Sequence, residues 1–554
     1  MSTRDRARRL PLSLGPSLVG ATGTIALGTL VSRLSGFASK LLLAWVIGFG
    51  VLNDSYTVAN TLPNIVYELL LGGVLTSVVV PLLVRAARND ADGGLEYTQR
   101  LVTIATVLLG TATAAAVAAA PALTRLYLGD GDAANPQLAT VFAYLLLPEI
   151  VFYGLGALFG AILNARSVFA PAAWAPVLNN LVVLATLAVF TLVPGEISLD
   201  PVRMGEAKLL VLGIGTTLGI AAQAAVLLPS LRRVGFRFRW RWGWAELFKK
   251  DGRLSQAGML VLWVVGYVLV SQVGYIATTR AAAQGAEGGV AIYSYAWMLF
   301  QLPYGVLGVS LLTAIMPRMS RAAAEGDTAR VVDDLSLGSR YSAVLLVPVA
   351  VLLTVAGQSI GIALFSFGAS GSADASRLGL ALAFSAFGLL PYAVTMLQLR
   401  VFYAMADART PTLIIVIMTA VKVPLLLACP AVLDPEDVVL GLAAVNAAGF
   451  VVGAVAGQVW LRVRLGPVRT TEVLMTVGKT VLAAVPAAGA ALGVGSLVDS
   501  GSLVDVGGVL GAWIDLVLST LVIGVVMTGT LLALRTGEMQ AVGRVLLSRF
   551  ARRP

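Results

Sequence analysis

Residues 32–84 read SRLSGFASKLLLAWVIGFGVLNDSYTVANTLPNIVYELLLGGVLTSVVVPLLV. Two long apolar segments follow one another here, yet Arg33, Lys40, Asp54 and Glu68 lie inside them or at their edges. An ionisable side chain in hydrocarbon costs at least roughly 2.5 kcal/mol, so it usually faces a protein interior or a watery cavity. A lysine near a helix end can reach the headgroups instead, but about nine apolar or small residues separate Lys40 from the first polar loop. We therefore expect a polar chamber inside a bundle of membrane-spanning helices.

The composition is that of an integral membrane protein with little catalytic chemistry. Of the 554 residues, 58% are hydrophobic and only 12% are charged, which lies outside the range of soluble globular domains. The absence of histidine and the single cysteine exclude a Ser-His-Asp or Cys-His relay, a His-ligated metal and an intramolecular disulfide. Cys429 is interpreted as a small buried hydrophobe. The absence of a Walker A motif and a kinase signature argues against transport driven by a nucleotide bound to this chain. We predict a transporter and not an enzyme, with no catalytic residue, metal or cofactor.

The apolar runs predict an all-α fold of about fourteen transmembrane helices. The runs lie near residues 18–48, 53–85, 98–124, 137–163, 170–194, 207–231, 256–283, 289–316, 339–366, 378–405, 411–433, 437–461, 474–497 and 508–534. Mid-run prolines free backbone carbonyls and commonly mark bends around a cavity. They occur at Pro63, Pro148, Pro176, Pro303, Pro348, Pro391 and Pro424.

The basic residues predict the orientation of the bundle. One set of alternate loops, taken with both termini, contains 30 lysines and arginines, the other set contains 5, and 4 lie within spans. Because cytoplasmic loops carry the excess of basic residues, we predict that both termini are cytoplasmic. No small-residue cleavage site follows the basic residues 1–10, so we expect an uncleaved first helix.

The segment 232–256 alternates phenylalanine, tryptophan and arginine, and the chain carries a net charge of +10. In a soluble protein this pattern would suit a nucleic-acid surface. Between two membrane spans, aromatic and basic residues belong at the level of the headgroups. We therefore predict a cytoplasmic interfacial linker that contacts membrane lipids, and no nucleic-acid partner.

The halves on either side of this linker look like repeats. Pro148 and Arg166 frame the fourth span, and Pro391 and Arg409 frame the tenth, 243 residues later. A second match between the halves pairs the tripeptides LPN and LPY, which lie 240 residues apart. Because six spans is an even number, the copies have the same orientation, and two parallel six-helix lobes would form a carrier that rocks one lobe against the other.

These patterns together predict six segments. They are a cytoplasmic tail (1–17), an N-lobe of six spans (18–231), the interfacial linker (232–256), a C-lobe of six spans (257–465), two extra C-terminal helices (466–535) and a second cytoplasmic tail (536–554).

The motif order in residues 32–84, with SR, GF, LPN and VP, resembles the opening of the MurJ (MviN) family of lipid II flippases. That family belongs to the multidrug/oligosaccharidyl-lipid/polysaccharide (MOP) exporter superfamily. Residues 302–327, LPYGVLGVSLLTAIMPRMSRAAAEGD, are similar to the eighth span of the family and the loop after it. The resemblance covers nearly the whole chain, including the fourteen spans.

The resemblance implies a multi-pass protein of the bacterial plasma membrane that serves peptidoglycan biosynthesis. Its substrate would be lipid II, an undecaprenyl-pyrophosphate-linked precursor, carried from the cytoplasmic to the outer leaflet by alternating access through a cationic central cavity. The two extra helices would form the groove for the lipid tail. Transport in the family is linked to the membrane potential or a cation gradient, and cell-wall synthesis proteins would be further partners.

The resemblance also implies a set of substrate-binding residues. Arg33 and Asp54 fall on charged positions of the family motif, and Asn64 falls on its LPN. Arg33 and Lys40 would attract the pyrophosphate, Asp54 would gate or orient Arg33 by charge pairing, and the asparagines would donate hydrogen bonds. The full set is Arg33, Lys40, Asp54, Asn60, Asn64 and Glu68.

The chain departs from the family motif at several arginine positions. The second arginine of the first motif falls on Ser39, and the adjacent Lys40 is rotated from it by about 100° on a helix. The other family arginines fall on Tyr67, on Glu68 and near Met298. Thr278 stands where some members have an acidic residue, and Asp407 is interpreted as a charge at a loop end.

Two alternatives remain open from the sequence. The first is an exporter of another polyprenyl-linked saccharide or of a drug, within the same superfamily. The second is a non-transporting membrane scaffold for envelope assembly. Only the transporters require charged residues such as Arg33 for function.

Overall fold

The structure is a computed structural model, and it describes residues 16–69, 79–90, 92–129, 134–200, 202–243, 253–499 and 507–540. Over these ranges the fold is helical, without strands, which confirms the predicted fold class. Twelve described helices are long and apolar enough to cross a membrane, or thirteen if one bent pair counts as a single span. The second predicted span, 53–85, runs through residues 70–78, so its full length lies outside the described residues.

The first half of the chain contains ten described helices. They are α1 (Pro16–Ile47), α2 (Val51–Leu69), α3 (Val80–Asn89), α4 (Leu95–Ala118), α5 (Ala120–Leu128), α6 (Pro136–Leu146), α7 (Glu149–Ala165), α8 (Ala170–Leu192), α9 (Ala207–Ala225) and α10 (Leu228–Arg233). Helices α6 and α7 meet at an angle of 41° and form the bent pair. The bend follows from Pro148, which has no N–H to continue the helical hydrogen bonds.

The second half begins after the linker and contains nine described α-helices. They are α11 (Arg253–Ala282), α12 (Gly289–Pro303), α13 (Val309–Ala324), α14 (Thr328–Val355), α15 (Gly357–Phe365), α16 (Ser372–Ser385), α17 (Leu389–Ala404), α18 (Arg409–Val432) and α19 (Val438–Leu465). A π-turn (Tyr304–Gly308) joins α12 to α13, and a 3₁₀-turn (Ala386–Gly388) joins α16 to α17. Two further helices, α20 (Thr470–Asp499) and α21 (Gly508–Ala533), complete the described chain.

The two halves pack their helices in the same pattern. In the first half, α1 packs on α8, α8 on α9, α2 on α6 and α7, and α7 on both α4 and α9. In the second half, α11 packs on α18, α18 on α19, α12 on α16, α13 on α17, and α17 on both α14 and α19. The recurrence is what a duplicated lobe requires, although the exact segment boundaries and the orientation of the termini stay predictions.

The register of the repeat differs from the sequence expectation by one helical turn. Helix α7 ends where the N–H of Val168 donates to the carbonyl oxygen of Leu163, and α17 ends where the N–H of Asp407 donates to that of Phe402, both at 2.9 Å. These six-residue closures are typical of helix C-termini. They lie 239 residues apart, as do the first residues of α8 and α18. The match between the prolines 243 residues apart was therefore wrong by about one turn.

The last two helices pack on each other and against α14 and α15 of the second half. Polar contacts attach these helices at two positions along their length. Near one end, Arg340 of α14 lies 3.0 Å from the Glu538 carboxylate and 3.7 Å from that of Glu472. Within the span, the Ser359 hydroxyl donates to Asp515 of α21 at 2.5 Å. Hydrocarbon gives helices no hydrophobic reason to associate, so such polar contacts contribute specifically to the docking.

Candidate functional site

At one end of the bundle, the turn between α1 and α2 lies against the second half of the chain. The indole N–H of Trp45 donates to the carbonyl oxygen of Leu364 at 2.8 Å, and the N–H of Ala369 donates back to that of Trp45 at 2.7 Å. The ring of Phe49 packs edge-on against Tyr295, with 5.4 Å between centroids. We call this region the closed end. It comprises Trp45, Phe49 and Asp54 from the first half with Tyr295, Leu364 and Ala369 from the second.

Asp54 caps a helix of the opposite half and does not pair with Arg33. Its side chain is 1% exposed, and its Oδ1 accepts a hydrogen bond of 2.7 Å from the N–H of Ala291, in the first turn of α12. Helix α12 has no side-chain cap of its own, because its N-cap residue is Gly288. A carboxylate at a helix N-terminus satisfies an unpaired N–H and interacts favourably with the helix dipole. In this structure Asp54 thus contacts a helix start, and the expected charge pairing with Arg33 stays a prediction.

Gly288 is required where this cap forms. Its φ of +77° is readily adopted by glycine, and an added Cβ would lie 2.9 Å from the backbone of Phe49. The small residue allows the backbones of the two halves to approach closely at the closed end.

Arg33 contacts the second half nearer the middle of α1. Its side chain is exposed, and its Nη1 donates to the carbonyl oxygen of Gly305 at 3.4 Å. Gly305 lies in the π-turn, a helix irregularity that occurs often at functional sites. Arg33 therefore faces the other half of the protein across the π-turn, as a residue lining an internal space would.

A second exposed arginine, Arg400 of α17, lies on the facing half. It interacts electrostatically with Tyr304, at the start of the π-turn, and with Tyr403 and Tyr267. Glu68 of α2 is also exposed and interacts electrostatically with Tyr267. Glu68 and Arg400 thus both interact electrostatically with Tyr267 of the second half.

Lys40 retains a large exposed surface in the C-terminal third of α1. Its electrostatic partner is Glu149, the first residue of α7. Sequence reasoning missed Glu149, although the LPEIV run places an acid inside an apolar span, the same signal that marked Arg33.

Ser39, at a family arginine position, is buried against α8. It is 5% exposed, and its hydroxyl donates within α1 to Ser35 and lies 3.3 Å from the carbonyl oxygen of Asn180 in α8. Lys40 thus points away from the packed face that Ser39 occupies. The rotation expected between neighbouring helical residues is observed.

The two candidate asparagines lie in the second half of α2 and are partly buried. The side-chain amide of Asn64 donates to the carbonyl oxygen of Asn60 at 2.7 Å, one turn earlier. Part of the hydrogen-bonding capacity of Asn64 is therefore used within its own helix. The ring of Tyr67, at a family arginine position, packs against Tyr153 at 4.8 Å.

A further cation lies inside the second half. The Lys422 ammonium of α18 donates to the side-chain oxygen of Asn446 in α19 at 3.0 Å, and the Asn446 amide lies 3.5 Å from the Thr278 hydroxyl of α11. The position that is acidic in some family members therefore belongs here to a polar cluster containing a lysine.

Two smaller expectations concern Asp407 and Cys429. Asp407 caps the start of α18, with the N–H of Thr410 at 3.0 Å and Arg464 at 3.3 Å, which confirms a loop-end role. Cys429 is 5% exposed, which confirms its burial. In the searched part of the chain, no three His, Cys, Asp or Glu residues cluster as metal ligands would.

An apolar crevice of about 400 Å³ lies between α17, α19 and α20. Its walls include Leu390, Val394, Val455, Leu474 and Val477, with Gln398 and Gln458 as polar groups. The crevice connects the second half of the chain with the helices that follow it.

The match to a family model decides the identity. The model described as "Lipid II flippase MurJ" matches residues 43–506, most of the chain. The chain belongs to the MurJ lipid II flippase family. MurJ flippases are transporters and not enzymes, and the many apolar helices agree with a multi-pass protein of the bacterial inner membrane.

Similar proteins span most of the chain. The "Probable lipid II flippase MurJ" of Rhizobium meliloti is 27% identical over 418 residues, which cover 74% of this chain and 75% of the relative. The "Lipid II flippase MurJ" of Burkholderia cenocepacia is 27% identical over 403 residues, or 71% and 75% of the two chains.

Solved structures of MurJ and of a MATE transporter share the fold. A structure titled "Lipid II flippase MurJ, inward closed conformation" matches with a TM-score of 0.70 and 17% identity, covering 92% of this chain and 99% of that one. An inward-facing MATE multidrug transporter of the MOP superfamily matches with a TM-score of 0.61 and 16% identity, covering 79% and 96%.

Proposed function

We propose that this protein carries lipid II from the cytoplasmic to the outer leaflet by alternating access. The observation that carries the proposal is a contrast along α1. At the C-terminal end of α1 the Trp45 contacts join the two halves of the chain, while earlier in the helix the side chains of Arg33 and Lys40 are exposed. A carrier that is open to one side and closed to the other has this arrangement.

The exposed cations would bind the pyrophosphate of the substrate. Arg33 offers a planar fork of donors that suits phosphate oxygens, and Lys40 offers a compact charge. Arg400 on the facing half would approach the same anion when the halves close around it. The two lobes would move with the closed end as the outer gate, both termini being cytoplasmic.

The polyprenyl tail would lie outside the charged cavity. The apolar crevice beside α20 has the chemistry for part of such a chain, and the two last helices would extend it. Transport would be linked to the membrane potential or a cation gradient, since moving one elementary charge through 100 mV provides about 2.3 kcal/mol.

Complementation tests the proposal. The gene would replace a depleted lipid II flippase in a bacterium, alongside Arg33→Ala, Arg33→Lys and the control Arg203→Ala in an exposed loop. We expect rescue by the wild type and the control, loss with Arg33→Ala, and partial activity with Arg33→Lys at equal membrane expression.

Each other outcome has a distinct meaning. Failure of a well-expressed wild type would contradict lipid II as the substrate and favour another lipid-linked saccharide or a drug. Rescue by Arg33→Ala as well would contradict the cationic site. Rescue without lipid II movement in vesicles would favour an envelope-assembly scaffold.

A further inference from the structure

The chain leaves α10 in a direction that its backbone fixes. Helix α10 is closed by Gly235, whose φ of +84° lies in the left-handed region that glycine adopts readily. The N–H of Phe236 then donates to the carbonyl oxygen of Leu231 at 3.0 Å, a common closure of a helix C-terminus. Phe236 is 7% exposed and packs with Leu231 in an apolar cluster. The residues after α10 are therefore anchored where they start.

Residues 236–243 form no helix and are held along the first turns of α4. The carbonyl oxygen of Arg237 accepts a hydrogen bond of 2.6 Å from the side-chain amide of Gln99, and the N–H of Arg241 donates to the Thr103 hydroxyl at 3.1 Å. Helix α4 is long and apolar enough to cross a membrane, and these contacts lie near its N-terminus. We call residues 236–243 the docked segment. It lies at the level where the span begins.

Three aromatic rings of the docked segment are exposed side by side. The side chains of Phe238, Trp240 and Trp242 are 44%, 57% and 64% exposed. The ring centroids of Phe238 and Trp240 are 5.1 Å apart, and those of Trp240 and Trp242 are 6.5 Å apart. Tryptophan combines an apolar ring with a polar N–H, so it concentrates where a membrane meets water. Exposed rings at the start of a span have the chemistry of the headgroup level.

A cavity of about 520 Å³ lies between α7, α10 and the docked segment. Its apolar walls are Phe159, Leu228, Leu231, Phe236 and Phe238. Its two charged wall residues are Arg232 and Arg237, and both are exposed.

Neither arginine of the cavity forms an ion pair among the residues that the structure describes. The acid of the neighbouring helix, Glu96, is instead paired with Arg241, whose Nη1 lies 2.6 Å from its carboxylate. The guanidinium groups of Arg232 and Arg237 thus remain available to an anion from outside the protein. Guanidinium is planar and always charged, and its paired donors match phosphate oxygens.

We propose that this cavity binds the phosphate of an anionic membrane phospholipid. Arg232 and Arg237 hold the phosphate, and the apolar walls hold the first carbons of the lipid. A phospholipid fits better than a soluble phosphate, because the two cations stand beside an apolar wall and exposed tryptophans at the level of the headgroups. The site uses neither Arg33 nor Lys40, so the proposal does not rest on the proposed function.

Two other arginines make a matched control possible. Arg233 and Arg239 are exposed in the same stretch of chain, but they do not line the cavity. General attraction of a basic segment to an anionic surface depends on the number of charges. A built site depends on which arginines are removed. Two double variants with equal net charge therefore separate these two cases.

Titration of fluorescently labelled phosphatidylglycerol into the purified full chain, in a neutral detergent, tests the proposal. We expect the wild type to bind it about tenfold more tightly than labelled phosphatidylcholine, whose ammonium group is repelled by the arginines. The double variant Arg232→Gln/Arg237→Gln should bind phosphatidylglycerol about tenfold more weakly than the wild type. The control Arg233→Gln/Arg239→Gln should stay within about threefold of the wild type. All four side chains are exposed, so both variants should keep the unfolding midpoint of the wild type.

Four other results would overturn the proposal. Equal weakening by the two double variants would show a diffuse attraction to the basic segment and no site. Equal affinity of the wild type for the two lipids would show that the phosphate charge is not recognised. Competition by inorganic phosphate at the concentration at which phosphatidylglycerol binds would indicate a soluble anion as the ligand. Tighter binding of an RNA oligonucleotide than of phosphatidylglycerol would indicate a nucleic-acid surface.

Discussion

Three charged side chains inside the spans are stabilised in three different ways. Asp54 uses the N-terminus of a helix from the other half, Lys422 uses a neutral amide, and Glu149 lies beside the Thr217 hydroxyl. Each arrangement depends on a residue distant in sequence. The sequence therefore shows that charged residues occur within apolar spans, but it does not predict which residues they contact.

Removing the cap at the closed end should loosen the contact between the two halves there. Asp54→Ala leaves the first turn of α12 without its acceptor, which typically costs about 1 kcal/mol, or a factor of about five in the open population. Asp54→Asn should have a smaller effect because its side-chain oxygen still accepts. Labelling of a cysteine at Val290, in a Cys429→Ser background, measures the opening.

Glu196→Gln is the control for the gate, because Glu196 is an exposed acid that does not contact this helix start. We expect its labelling rate to equal that of the parent. Equal rates for Asp54→Ala and the parent would contradict a gating role for Asp54.

Lys422 should be dispensable for the stability of the fold, whereas its partner Asn446 should not. Replacing a buried charge by an apolar residue of similar size is often neutral or stabilising, so Lys422→Met should unfold no earlier than the wild type. Asn446→Ala should lower stability by about 1.5–3 kcal/mol, because it removes the oxygen bound to the ammonium. Thermal unfolding in detergent measures both; a less stable Lys422→Met than Asn446→Ala would contradict this account.

At the scale of elements, the last two helices show how polar contacts dock helices in a membrane. Their interface with α14 contains Val344, Val347 and Val351, which lipid would accommodate equally well. The bonds of Arg340 and Asp515 are different, because lipid cannot replace them. The sequence predicted these two helices as a unit outside the repeat, but it did not predict which polar residues attach them.

Ser359→Ala tests the docking of α21. The change removes the hydrogen bond to the buried Asp515, and leaving a charged acceptor without this donor should lower stability by about 1–3 kcal/mol. Ser496→Ala is the control, because its exposed hydroxyl donates only to its own helix, and it should stay within about 0.5 kcal/mol of the wild type. The unfolding midpoint distinguishes the two, and equal midpoints would argue against this attachment.

At the scale of the whole molecule, the fold was predictable and the contact between its halves was not. Hydropathy and the repeated motifs predicted the helices, because a span needs about 20 apolar residues whatever its neighbours are. The register of the repeat was missed by one turn because two prolines in similar apolar runs are a weak alignment signal. Of the candidate site, Arg33, Lys40 and Glu68 have exposed side chains, whereas Asp54 is buried at the closed end; their roles toward a substrate stay predictions.

A distance measurement tests the motion of the two halves. Spin labels at Glu196 and Glu436, on exposed loops near the closed end, should give one short distance in the empty carrier. Addition of lipid II should add a longer distance, and Asp54→Ala should increase its share without ligand. A single unchanged distance in all three samples would contradict a rocking mechanism at this end.

Because Asp54 of one half caps α12 of the other half, water must hydrate both groups when the closed end opens. When Asp54 leaves the start of α12, no other side chain of that helix caps its N-terminus, so solvent must hydrate both the carboxylate and the freed N–H. The free energy of the gate is thus a small difference between a protein–protein and two protein–water hydrogen bonds. Solutes that are excluded from protein surfaces disfavour exposing new surface, so they should hold this end shut. Opening of the closed end would then respond to the osmotic conditions on the side of the membrane that it faces.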